Sequence, residues 1–128
     1  MFKPITPAAH GVIDYVTSAT GAAAPARLDF PPQARTLFRS LAGGYTALSA
    51  ITDYPASVSR VVPFKGHGAA ELAVGAVLPA LPYLLGFSHN KAARNACFAL
   101  AGITMVVAAL TDWSKEGGEH GERRHQLD

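Results

Sequence analysis

The sequence predicts an all-α fold: a four-helix transmembrane bundle built from two tandem helical hairpins, related by a pseudo-two-fold axis along the membrane normal. Three observations predict it. The first is a recurring opening, His10-Gly11-Val12-Ile13-Asp14-Tyr15 and His67-Gly68-Ala69-Ala70-Glu71-Leu72, each with an imidazole four residues before a carboxylate. Pro25 and Pro82, and Phe30 and Phe87, keep the same 57-residue offset. The second is a recurring ending, Thr52-Asp53-Tyr54 and Thr111-Asp112-Trp113, 59 residues apart, with Gly43 and Gly102 at that same offset. The third is composition: 49% of the 128 residues are apolar and only 16% are charged, against about 25% charged in ordinary soluble domains.

The chain is one domain long, with repeat 1 at about 8–58, repeat 2 at about 65–115 and a polar tail at 116–128. A net charge of +2 without a basic stripe excludes nucleic acid as a partner and leaves membrane lipid; a homo-oligomer is compatible. The single cysteine, Cys97, excludes an intrachain disulfide and sits in an apolar run, where cysteine behaves as a small hydrophobe. Ala22-Ala23-Ala24 imitates a cleavage site, but His10, Asp14, Thr17, Ser18 and Thr20 interrupt the segment before it. That segment is expected to stay in the mature chain.

The elements follow in order. Helix 1 is expected from Pro7 to Ala24, because proline suits a first turn and the small residues after it allow close helix approach. Pro25 to Pro32 reads as a linker. Helix 2 is expected from Gln33 to Tyr54, ended by Pro55. Helix 3 is expected from Gly66 to Leu85, bent near Gly75 to Pro79 because Pro79 and Pro82 each remove a backbone donor. Helix 4 is expected from Lys91 to Trp113. Gly43 and Gly102 are expected at helix contacts. The tail from Ser114 is expected to be unstructured beyond its first few residues and dispensable from about Glu116 on, and its His120 and His125 solvated. About 20 residues of helix span a bilayer core, so helices 3 and 4 qualify directly and helices 1 and 2 by their likeness to them.

Two hairpins in series put the starts of helices 1 and 3 beside the ends of helices 2 and 4. That places His10, Asp14, Asp53, His67, Glu71 and Asp112 in one layer near one face. Lys3, Arg60, Lys65, Lys115, Arg123 and Arg124 flank that layer, against Arg27, Arg35, Arg39, Lys91 and Arg94 at the other end. The bias places both termini in the cytoplasm.

These residues resemble the SPW-repeat family of small bacterial four-helix membrane proteins. The opening, the close Leu81-Pro82-Tyr83-Leu84-Leu85-Gly86-Phe87 and the Thr-Asp-aromatic ending carry the resemblance. Ala24-Pro25-Ala26-Arg27-Leu28-Asp29-Phe30 is a degraded copy of that close, and the naming triplet departs from the pattern in both copies. The resemblance covers nearly all of residues 8–113. It implies the fold and a multi-pass place in the bacterial cytoplasmic membrane, and no activity.

Three functions remain open for the layer. The expected one is a structural polar network, with Asp53 accepting from His10 and Asp112 from His67, each pair within its own hairpin. The alternative is a metal site. Two imidazoles and four carboxylates are the ligands of a dinuclear carboxylate centre in a bundle, and Zn, Mn or Fe suits mixed nitrogen and oxygen donors. Haem held between His10 and His67 fits less well, since the acids would crowd the ring. Proton or small-solute transport is the third alternative, because ionisable groups inside a membrane mark pathways. Tyr15, Tyr54 and Trp113 read as an interfacial aromatic belt. No Gly-rich phosphate loop, Ser-His-Asp order or CxxC pair points to an enzyme.

Overall fold

A computed structural model describes residues 2–114; the expectations for the tail beyond Ser114 lie outside them. Helix α1 runs Pro7–Arg27, α2 Pro32–Ile51, α3 Phe64–Val77, α4 Leu81–Leu84 and α5 Lys91–Leu110. A 3₁₀ turn, Leu78–Ala80, joins α3 to the single turn of α4. The result is four helical rods, the third being 64–84, with no strand among the described residues.

Local chemistry sets the helix starts. The Thr6 hydroxyl accepts from the Ala9 amide at 3.2 Å, and Pro7 follows it in the first turn. Asn90 caps α5 by accepting from Ala93 N at 2.9 Å. Pro32 opens α2 instead of ending a linker, because the first helical position has no use for an N–H. Pro25 likewise lies inside the last turn of α1, which continues to Arg27; its fixed φ is helical and only one bond is forfeited.

The ends fall earlier than expected. Thr52 and Thr111 swing to extended backbone (φ −81°, ψ 143° and φ −82°, ψ 136°), so α2 stops at Ile51 and α5 at Leu110. Their neighbours then pair across the bundle. Asp53 N donates to Val62 O at 2.7 Å, and Asp112 N donates to Ile5 O at 2.9 Å. The segment leading into α3 therefore fastens to the end of α2, and the segment leading into α1 to the end of α5. The third rod loses its α-helical ladder at Leu78, where Pro79 enters.

α1 packs along α2, and α3 along α5. Both hairpin turns use the same device. A residue with positive φ, Asp29 (51°) or Gly86 (78°), precedes a buried phenylalanine. The amides of Phe30 and Phe87 reach back to the carbonyls of Pro25 and Pro82 at 3.4 and 2.9 Å. Phe30, Phe38, Leu78, Phe87, Ala34, Ala93, Cys97 and Ala101 form the apolar core at this end.

The glycine expectation is corrected. A Cβ on Gly43 or Gly102 would meet nothing within 4 Å, so neither glycine sits at a helix contact. The close contacts fall on other glycines. A Cβ on Gly11 would stand 2.7 Å from Ala56 and 3.1 Å from the Tyr54 ring, and one on Gly68 would stand 2.6 Å from the Trp113 ring. Among the described residues one helix, α5, is long and apolar enough to cross a membrane by length and composition.

Candidate metal centre

The helical periodicity that puts i and i+4 on one face aims His10 and Asp14 from α1, and His67 and Glu71 from α3, at a common point. All four are buried: the histidines have no exposure, Asp14 has 6% and Glu71 5%. Each imidazole Nε2 faces both carboxylates. His10 lies 3.4 Å from Asp14 Oδ1 and 3.1 Å from Glu71 Oε2; His67 lies 2.9 Å from Asp14 Oδ2 and 3.2 Å from Glu71 Oε1. One donor atom from each side chain can be chosen so that all four lie within 4.8 Å of one another.

The other two expected ligands do not join them. Asp53 Oδ1 stands 3.7 Å from Arg60 Nη1. Asp112 Oδ1 accepts from the Ser114 amide at 3.1 Å and from its hydroxyl at 2.5 Å. Both aspartates follow residues whose backbone has turned extended, and this directs their side chains away from the layer. The expected network of Asp53 with His10 and Asp112 with His67 is therefore corrected. So is the dinuclear inventory, which falls to one four-ligand site.

The partners of the imidazoles are the threonines. His10 Nδ1 lies 2.9 Å from Thr111 Oγ1, and His67 Nδ1 lies 2.7 Å from Thr52 Oγ1. Each contact crosses between hairpins. Each threonine hydroxyl also donates to the carbonyl four residues back, Thr111 to Val107 O at 2.6 Å and Thr52 to Leu48 O at 2.5 Å. A hydroxyl has one proton to donate, so toward the histidine it accepts. Both histidines are thereby fixed with a proton on Nδ1, and it is Nε2 that faces the carboxylates: without a proton it presents a lone pair, with one it carries positive charge.

Two lone-pair nitrogens facing two carboxylates repel unless something positive lies between them. Two protons, one on each Nε2, would supply the charge; so would one divalent cation. The alignment bears on the choice. Neither Nε2 makes a directed hydrogen bond among the described residues, and nor does Glu71 Oε2. The oxygens are near each nitrogen but off the line its N–H would take. With one donor atom from each side chain the four lie within 4.8 Å of one another, and a tetrahedral ion, whose ligands stand roughly 3.3 Å apart, would draw them in. Haem does not fit, because the two imidazoles meet edge to face with ring centroids only 5.4 Å apart.

Aromatic residues roof the site. Tyr54, with no exposure, donates from its hydroxyl to Asp14 Oδ2 at 3.3 Å, and burial raises its phenol above the ordinary range. Phe64 and Trp113 meet His10 edge-on at 5.4 and 5.1 Å, and Trp113 Nε1 donates to Ala108 O at 2.8 Å. Tyr54 and Trp113 are thus walls of the centre and not a surface belt. Tyr15 donates to Ala56 O at 3.0 Å. Sequence reasoning missed Thr52, Thr111 and Phe64 as members of the site. The signal for the threonines was present in the repeated Thr-Asp-aromatic triplet.

Compared with family models, with curated proteins and with solved structures, the chain finds no match.

Proposed function

We propose that this protein is a membrane-embedded four-helix bundle that holds one divalent transition-metal ion between its two hairpins, with His10, Asp14, His67 and Glu71 as ligands. The observation that carries this is the pair of threonine-backed imidazoles whose Nε2 atoms converge on two buried carboxylates. A metal-bound histidine typically donates its other ring N–H to an oxygen acceptor that fixes its orientation, as Thr52 and Thr111 do. A divalent ion, two neutral imidazoles and two carboxylates sum to zero charge, which is what a dry interior requires. Zinc, manganese and iron suit this donor set.

Membrane embedding is supported by an inverted distribution of polarity. His10, Asp14, Ser18, Ser49, Thr52, His67, Glu71 and Thr111 are buried, while Val12, Val16, Leu72, Val77, Leu84, Ile103 and Val106 are at least 47% exposed. His10, Asp14 and Ser18 of α1 and His67 and Glu71 of α3, which weaken the hydropathy of those helices, point inward, and lipid would meet mainly apolar side chains. The duplication is supported by burial at constant offset. Pro7, His10, Gly11, Asp14, Ser18 and Pro25 of α1 answer to Phe64, His67, Gly68, Glu71, Gly75 and Pro82, 57 residues on. Ala34, Phe38, Ala42 and Ser49 of α2 answer to Ala93, Cys97, Ala101 and Ala108 of α5, 59 residues on. With the motifs, these matches favour the SPW-repeat resemblance and a pseudo-two-fold axis through the metal.

Elemental analysis of protein extracted from membranes in detergent, purified without a histidine tag, tests the proposal. About one equivalent of metal is expected, lost in His10→Ala and equally in His67→Ala. Metal-free protein that stays so after incubation with Zn²⁺, Mn²⁺ or Fe²⁺ would leave a proton-filled structural network in its place.

A further inference from the structure

The centre is closed on three sides and open on one. Thr52 and Thr111 back the imidazoles, and Tyr54, Phe64 and Trp113 cover the end of the bundle. On the remaining side lies a cavity of about 40 Å³ between α1, α2 and α5, with Asp14 and Glu71 in its wall and neither histidine. The rest of its lining mixes the hydroxyl-bearing Thr17, Ser18, Tyr45 and Thr104 with aliphatic and phenylalanine side chains. The Tyr45 hydroxyl is buried and has no hydrogen-bond partner among the described residues, although a buried phenol usually finds one.

We infer that this cavity holds a water molecule on the metal's open coordination position, and that Tyr45 fixes it as a positioning residue. The inference rests on the metal centre proposed above. The size fits: a polar site needs roughly 10–15 Å³ to admit a water, and that water needs two to four polar partners. The metal, a carboxylate oxygen and the Tyr45 hydroxyl meet that requirement and give the phenol the partner it lacks. Charge selects the ligand as well. The metal and its four ligands are neutral together, so an added anion would bring uncompensated charge into an apolar wall, whereas water does not. Catalytic metal sites keep a position open for water beside their protein ligands, in contrast to closed structural sites; with four protein ligands here the water takes a fifth position, which an ion of higher coordination number such as Mn²⁺ accepts. The centre is thereby assigned a reactive side, facing the cavity between α1, α2 and α5.

The test uses the full-length protein loaded with Mn²⁺ alone, read by electron paramagnetic resonance in ¹⁷O-enriched water. Bound Mn²⁺ whose lines broaden in labelled water is expected. In Ser18→Leu, which fills the cavity, the Mn²⁺ should stay bound and the broadening should disappear. In Tyr45→Phe, one oxygen smaller and the gentler change to the fold, the Mn²⁺ should stay bound while the coupling of exchangeable deuterons, read by electron–nuclear double resonance, changes. Bound Mn²⁺ without ¹⁷O broadening would overturn the open position and leave the metal centre standing. Broadening with deuteron couplings identical in Tyr45→Phe would overturn the role of Tyr45. Failure of Mn²⁺, and of Zn²⁺ and Fe²⁺ after it, to bind at all would overturn both proposals.

Discussion

A threonine hydroxyl at a helix end decides the chemistry of this site. Because Thr52 and Thr111 give their protons to the carbonyls of Leu48 and Val107, each can only accept from a histidine, and each imidazole is left with Nε2 free to coordinate. Thr52→Val or Thr111→Val removes that acceptor at almost constant shape. Metal affinity, measured by competition with a chelator, is expected to fall about 10- to 100-fold in either variant, and Thr→Ser at the same position to restore most of it. The threonines were legible as half of a repeated triplet. The neighbouring aspartates drew the assignment because a carboxylate is the commonest partner of an imidazole, and nothing in the sequence shows the backbone turning extended at residues 52 and 111. Glycine gives a second contrast at this scale. Gly68→Ala would push a methyl to 2.6 Å from the Trp113 ring, so thermal unfolding in detergent should show a loss of about 1–3 kcal/mol. Gly43→Ala meets open space and should be neutral or gain about 0.5–1 kcal/mol from the helix preference alone.

At the scale of elements, the two hairpin turns share one geometry. Asp29 and Gly86 occupy the same left-handed position before Phe30 and Phe87. An L-residue pays roughly 1–2 kcal/mol there that glycine avoids. Gly86→Ala should therefore lower stability by about 1 kcal/mol and Asp29→Gly raise it by a similar amount; equilibrium unfolding of the two variants checks both signs. The four rods and the pairing of histidine with acid at i+4 were legible, because they depend only on hydrophobic runs and helical period. The helix bounds were less so. Proline was read as a breaker at Pro25 and Pro32, where the helix end had no need of its N–H. The third rod was read as bent near Gly75 to Pro79, and the structure changes to a 3₁₀ turn at Leu78–Ala80.

For the molecule as a whole, the crossed contacts matter most. His10 of the first hairpin rests on Thr111 of the second, and His67 on Thr52. Asp14 and Glu71, one from each hairpin, both face both imidazoles. Sequence periodicity located the layer but could not show that its halves meet, since that depends on how the hairpins pack. Meeting makes the site a lock between them, and it makes metal and protons alternatives: one divalent ion replaces the two protons that Nε2 of each ring would otherwise hold. Metal binding should release about two protons, read as the dependence of calorimetric heat on the ionisation enthalpy of the buffer, and affinity should weaken as pH falls.

X-ray absorption at the metal edge of the protein, as purified or loaded with Zn²⁺, tests the proposed centre most directly. A first shell of nitrogen and oxygen near 2.0–2.2 Å, with outer-shell scattering from two imidazoles that drops to one in His67→Ala, is the predicted result. A shell of oxygen alone, or imidazole scattering unchanged in His67→Ala, would contradict a metal shared between the two hairpins.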